Sequence, residues 1–152
     1  MGKAANSSIS LKQIHVTDNF WNKYVHLVKD VIIPYQWDIL NDKLEDVETS
    51  HCIENFKIAA GEKEGEFQGA VFQDTDVAKW LEAVGFVLNY GRDEKLEELA
   101  DETIELIGRA QQPDGYLNTY FTIKEPDGRW SNLMEGHELY TAGHMIEAAV
   151  AY

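Results

Sequence analysis

A chain of 152 residues with 44% hydrophobic and 11% aromatic content carries enough apolar surface for one folded domain and does not have the composition of a disordered segment. Its 27 acidic against 13 basic residues give a net charge of −14; with no cluster of Lys and Arg to neutralise phosphates, nucleic acid and anionic membranes are excluded as partners and a neutral ligand is expected. The single cysteine, Cys52, rules out an internal disulfide and a cysteine-based metal cluster within these residues.

In chain order, Met1 to Gln13 is polar and lacks the apolar core of a secretory leader. No run of about eighteen apolar residues occurs anywhere, so the cytoplasm is the expected location. Residues 1–13 read as a flexible arm. Within Ser8 to Phe20, the alternation of Ile9, Leu11, Ile14 and Val16 predicts a short strand or extended segment. Thr17 or Asp18 offers a cap for a helix from Phe20-Trp21 to Ile33, striped by Trp21, Tyr24, Val25, Val28, Val31 and Ile32. Pro34 should interrupt it, with another turn or two over Tyr35–Leu40. Ser50 offers a cap for a helix through Ala60 that Gly61 would end, with Cys52 as a packed thiol inside it. The glycine-containing stretch 61–74 reads as a loop.

Two stronger helix signals come next. Val77, Trp80, Leu81, Val84 and Leu88 form one stripe, with a cap expected at Asp74 or Asp76. Leu96, Leu99, Ala100, Thr103, Ile104 and Ile107 form another, over Asp93–Ala110. Only Gly91-Arg92 separates them, which predicts antiparallel neighbours. A long loop, Gln111–Gly136, leads to a last helix striped by Leu139, Ala142, Ile146, Ala149 and Val150. That helix shows no closing Gly, no basic last turn and no Pro, and its apolar end wants a partner. The expectation is a chain that forms the front part of a longer protein. A faint internal echo lays Asp76–Val84 on Thr141–Ala149, sixty-five residues later, as in an array of helical hairpins that each supply a loop to a common face.

The loop Gln111–Gly136 has what a sugar site needs. Its Gln, Asn and Asp side chains pair with hydroxyls, and Tyr116, Tyr120, Phe121 and Trp130 offer flat apolar faces; an ordinary loop with packed aromatics is an equal reading. His137 stands at or beside the cap of the last helix, where the helix dipole disfavours an imidazolium and a neutral ring can bond a hydroxyl. Glu138 in the first turn is explained by the same dipole. Gln73-Asp74 occupies the parallel place before the Val77–Leu88 helix. No HExxH spacing occurs.

The segments PYQWDILND (34–42), SHCIENFKIAAGE (50–62), GEFQGAVFQDTDVAKWLEA (65–83), RAQQPDGYLNTYFTI (109–123) and HELYTAGHMIEAAVAY (137–152) resemble the amino-terminal part of family 127 glycoside hydrolases, the β-L-arabinofuranosidases. The resemblance implies an all-α fold in which residues 14–152 are the first portion of an (α/α)6 barrel. It implies removal of terminal L-arabinofuranose from plant oligosaccharides with retention of configuration, by a zinc-held cysteine nucleophile and a Glu acid/base. Those residues and the zinc ligands fall outside this chain, and Cys52 matches none of the motifs. The 152 residues should therefore be inactive alone. His137 carries over as a substrate-contacting histidine of the His-Glu-hydrophobic-Tyr motif, with Gln73, Asp74 and Tyr116 as further pocket candidates. Leu44–Glu48 holds no clear match for a sugar-binding Gln. A neutral oligosaccharide is the implied partner, and a homodimer is compatible. The alternatives are a non-catalytic α-helical sugar-binding or interaction module and another (α/α)6 enzyme, a uronyl hydrolase or sugar epimerase.

Overall fold

The computed structural model describes residues 9–152, so the leading part of the expected flexible arm lies outside the described residues. These residues form seven α-helices and no strand. The alternation after Ser8 does not make a strand: Leu11–Gln13 is a short 3₁₀ turn, and the extended stretch beyond it is pinned by Tyr90, whose hydroxyl accepts from Val16 N–H at 3.0 Å and donates to Val16 C=O at 3.1 Å. A lone alternating segment has no second strand to pair with, and the tyrosine takes over its backbone groups.

Helix α1 (Trp21–Leu27) begins where Asp18 Oδ1 accepts from the backbone N–H groups of Phe20 and Trp21 at 2.9 and 2.8 Å. Pro34 does not interrupt the helical run. The chain passes through a π-helical turn, Val28–Ile32, directly into α2 (Ile33–Leu40), and Ile33 N–H reaches back five residues to Val28 C=O. A proline lacks the N–H for an i→i−4 bond and its ring crowds that carbonyl; a wider turn just before it accommodates both. The expected stripe of α1 is largely exposed, and burial begins at Ile33.

Helix α3 (Cys52–Ala59) starts after His51, which is left-handed at φ 56°. Ser50 does not cap it: its hydroxyl accepts from Gln73 Nε2 at 3.3 Å instead. Gly61, at φ 73°, closes α3 in a Schellman arrangement, with Gly61 N–H to Ile58 C=O and Glu62 N–H to Lys57 C=O. Asn55, fully buried, clamps the next loop by pairing both ends of its amide with the backbone of Gln68, at 2.8 and 3.1 Å.

Helices α4 (Asp74–Tyr90) and α5 (Glu94–Ala110) form as expected, the second capped by Asp93 Oδ1 on Leu96 N–H at 3.2 Å. The stretch read as one long loop contains a short helix, α6 (Thr119–Ile123), capped by Asn118 Oδ1 on Phe121 N–H. Helix α7 (Glu138–Ala151) runs parallel to α4 and packs along it. Phe72 stacks edge-on against His137 at one end, and Asn89 Nδ2 donates to Ala151 C=O at 3.2 Å at the other. The echo of sixty-five residues thus relates two parallel neighbours.

The face α7 buries is not the expected stripe. Thr141 and Ala148 are enclosed, while Ile146 and Val150 are 65% and 82% exposed. Periodicity finds an apolar face, but it does not say which side a partner takes. Small residues win here because the backbones approach closely. A Cβ built on Gly85 would lie 2.6 Å from the backbone of Ala151. Gly85→Ala is accordingly expected to lower stability by about 2 kcal/mol, the usual cost of overpacking, as read in thermal unfolding. A gain of about 1 kcal/mol, which helix propensity alone would give, would refute the close approach.

Candidate functional site

The heads of α4 and α7 lie side by side, and each is furnished by the loop that precedes it. Asn55 and the left-handed Gly69 shape the first loop so that it delivers Phe72 and Gln73. The second loop ends at Gly136, whose position leaves no room for a side chain: an added Cβ would meet Asn132 C=O at 2.8 Å and the Phe121 ring at 3.0 Å. His137 comes next, in the left-handed region at φ 51°. Its ring is half-buried and meets Phe72 at 5.2 Å and Tyr140 at 6.0 Å, both edge-on. Phe72 and Tyr140 are exposed, and Lys79 Nζ sits 5.5 Å from the centre of the Tyr140 ring. An imidazole framed by exposed aromatic faces is an arrangement that can bond a hydroxyl and pack on the C–H face of a sugar.

The four candidate residues divide into two pairs. His137 and Gln73 share the rim. Gln73 Nε2 donates to Asp76 Oδ2 at 2.9 Å and to Ser50, and its Oε1 accepts from Ala70 N–H at 3.2 Å, so both ends of its amide serve to shape the loop. Asp74 and Tyr116 point inward. The expected cap at Asp74 is not made: its carboxylate is buried and accepts from Thr119 N–H at 2.7 Å and Thr119 Oγ1–H at 2.5 Å. Burial pushes its carboxyl up to about 6, against the opposing effect of the two Thr119 bonds. A capping bond to its own helix is displaced by one to α6, and α6 is thereby tied to the head of α4.

Tyr116 donates its hydroxyl to Glu138 Oε1. Burial, and then the carboxylate it bonds, raise the phenol well above its ordinary value. Glu138 is 3% exposed and also accepts from the backbone N–H of Trp130 at 2.8 Å. The helix dipole alone therefore does not account for Glu138. Its partners lie eight and twenty-two residues upstream, in loop positions that no local motif marks. Thr119 and Asn55 escape sequence reasoning for the same reason.

The zinc implied by the resemblance does not fit these residues. The Cys52 thiol is wholly buried and donates to Gln73 C=O at 3.3 Å. Burial, and then the nearby Asp74 carboxylate, hold it well above the ordinary thiol range. Among the described residues no three His, Cys, Asp or Glu side chains come together as a metal site, and none of their helices is long and apolar enough to cross a membrane.

The family model described as the β-L-arabinofuranosidase GH127 catalytic domain matches residues 13–152. A non-reducing end β-L-arabinofuranosidase of Bifidobacterium longum subsp. longum is 42% identical over 155 residues, covering 91% of this chain and 24% of that protein. Among solved structures, a GH127 β-L-arabinofuranosidase from Geobacillus stearothermophilus T6 superposes with a TM-score of 0.89 at 65% identity, over 91% of this chain and 22% of its own. A GH127 β-arabinofuranosidase superposes with a TM-score of 0.82 at 33% identity, over 94% and 23%. The chain thus spans about a quarter of the length of these relatives.

Proposed function

The chain belongs to the β-L-arabinofuranosidases of family GH127, and from that premise we propose that its residues form the first part of an (α/α)6 barrel that removes terminal L-arabinofuranose from neutral, plant-derived oligosaccharides. The observation that carries this reading is His137, held in a strained conformation at the head of α7 between the exposed rings of Phe72 and Tyr140. In this role the imidazole bonds a sugar hydroxyl, and the rings take the apolar face. Gln73 shapes the rim, while Asp74 and Tyr116 hold the loops beneath it. Zinc and the nucleophile belong to residues outside these 152, since the one thiol here is enclosed and bonded. The same reading assigns a cytoplasmic location, compatible with a homodimer, and its partner is an oligosaccharide, without nucleic acid or membrane.

The test is the full product of the gene encoding these residues, assayed on aryl α- and β-L-arabinofuranosides. It should cleave the β anomer. His137→Gly, which keeps the left-handed backbone unstrained, should lower kcat/KM between about tenfold and a hundredfold through loss of a sugar hydrogen bond. His137→Ala should match it in activity but unfold about 1 kcal/mol more readily, because its Cβ meets the αL penalty. The 152-residue polypeptide alone should release no arabinose. Cleavage of neither anomer, or full activity in His137→Gly, would overturn the reading.

A further inference from the structure

Trp130 is the one residue of its loop whose backbone is strained and whose side chain gains nothing in burial from it. Its φ is 62°, a region that bulky side chains avoid at a cost of order 1–3 kcal/mol. Yet the indole remains 52% exposed. Something must hold it there, and the buried carboxylate of Glu138 does so by accepting the Trp130 N–H at 2.8 Å. The ring then stands edge-on to Tyr116, with centroids 5.4 Å apart. Tyr116 is itself fixed twice, by its hydroxyl on Glu138 and by the Arg129 guanidinium stacked 4.1 Å from its ring centre. Arg129 is in turn held by Asp114 at 3.3 Å. An exposed indole is thus mounted on a rigid support.

A second, independent observation concerns Asn118. It is 3% exposed, and its Oδ1 caps α6, but its Nδ2 has no hydrogen-bond partner. A buried amide N–H₂ without an acceptor is costly unless a ligand supplies one. Asn118 lines a cavity of about 230 Å³ together with Tyr116, Trp130, Glu138, Ala142 and Ile146. Trp130 and Asn118 therefore border one space, of a size for a single sugar ring.

We propose that Trp130 and Asn118 form a separate sugar subsite beside the His137 rim, Trp130 stacking a ring of a neutral oligosaccharide and the Asn118 amide donating to one of its hydroxyls. Glu138 is the positioning residue that aims the indole. The subsite rests on the glycosidase reading only in its choice of sugar, and it gives the protein a preference for longer substrates over single sugars with a small leaving group. Exposed aromatic rings are not subsites in general. Trp21 is as exposed, but it sits on a regular helix among Phe20 and Tyr24, with no strain.

The experiment compares KM for an arabino-trisaccharide with KM for an aryl β-L-arabinofuranoside in the full gene product. Trp130→Ala should raise the trisaccharide KM about tenfold more than the aryl KM, as loss of an aromatic stacking surface does, and Trp130→Phe should restore most of it. Asn118→Asp, which keeps the cap oxygen but removes the donor, should shift the same ratio. Trp21→Ala is the control and should move neither. Equal shifts on both substrates in Trp130→Ala and Asn118→Asp would overturn the subsite. Should the protein cleave no arabinofuranoside, the glycosidase reading falls by itself. Calorimetric titration with the trisaccharide then decides: weaker binding in Trp130→Ala supports the subsite, and equal or absent binding overturns it.

Discussion

Glu138→Ala is expected to destabilise the protein by roughly 4 kcal/mol, combining one buried and one part-buried donor left without an acceptor and the space of the lost side chain. The donors are the Tyr116 hydroxyl and the Trp130 N–H, from two separate parts of the loop. With both freed, the strained Trp130 backbone loses the bond that restrains it, and the loop before α7 should open. Glu138→Gln should be far milder, about 1–2 kcal/mol, because a charged hydrogen bond is replaced by a neutral one. The amide oxygen can keep Trp130, and the Tyr116 hydroxyl can turn to accept from the amide nitrogen. Urea unfolding at constant m-value measures both. An alanine variant within about 1 kcal/mol of the parent would show that the carboxylate is a surface ornament of the helix start and not the support of the loop.

Asp74 makes a prediction in pH. Its folded carboxyl lies near 6, raised by burial from an ordinary 3.8. A raised value means that the folded state binds its proton more tightly than the unfolded chain. The stability it contributes is therefore complete below about 3.8 and is lost as pH rises through about 6, an amount of about 3 kcal/mol for a shift of this size. Asp74→Asn carries no charge. Its oxygen can accept the Thr119 N–H while its amide donates to the Thr119 hydroxyl. The variant should match the parent near pH 4 and exceed it by up to about 3 kcal/mol near pH 7.5. Asp74→Ala, which strands the Thr119 N–H, should be less stable at both. A difference between parent and Asp74→Asn that stays constant across this range would count against a buried, charged Asp74.

The contrast between these residues and the helices shows what a linear sequence carries. Helix α5 and its cap Asp93 are legible because both signals, a 3.6-residue stripe and an acidic cap, are local. Gly61 is legible because a left-handed helix end selects glycine. Pro34 misleads: the rule that proline breaks a helix holds for an α-turn, and a π-turn evades it. At the site, the head of α7 falls where the sequence puts His137. The roles of Asp74, Tyr116 and Glu138 are hidden, since each is defined by a partner at least eight residues away in the chain. Charge type suggests a cap or a dipole partner; only the fold reveals that Thr119 and Trp130 claim these oxygens first.

The parallel course of α4 and α7 has an electrostatic consequence. Two helices lying abreast in the same sense bring like poles together, with the partial positive ends of both crowded at one rim. Antiparallel pairs cancel these ends; a parallel pair accumulates them. In this protein each helix opens with an enclosed carboxylate, Asp74 on one and Glu138 on the other. Two anions thus stand where two positive ends would otherwise repel. Their hydrogen bonds run to the loops between the helices, so the neutralising charge also serves as the tie. The rim formed by the two heads thus sets two enclosed carboxylates against two positive helix ends, a concentration of charge that an antiparallel pair would not bring together.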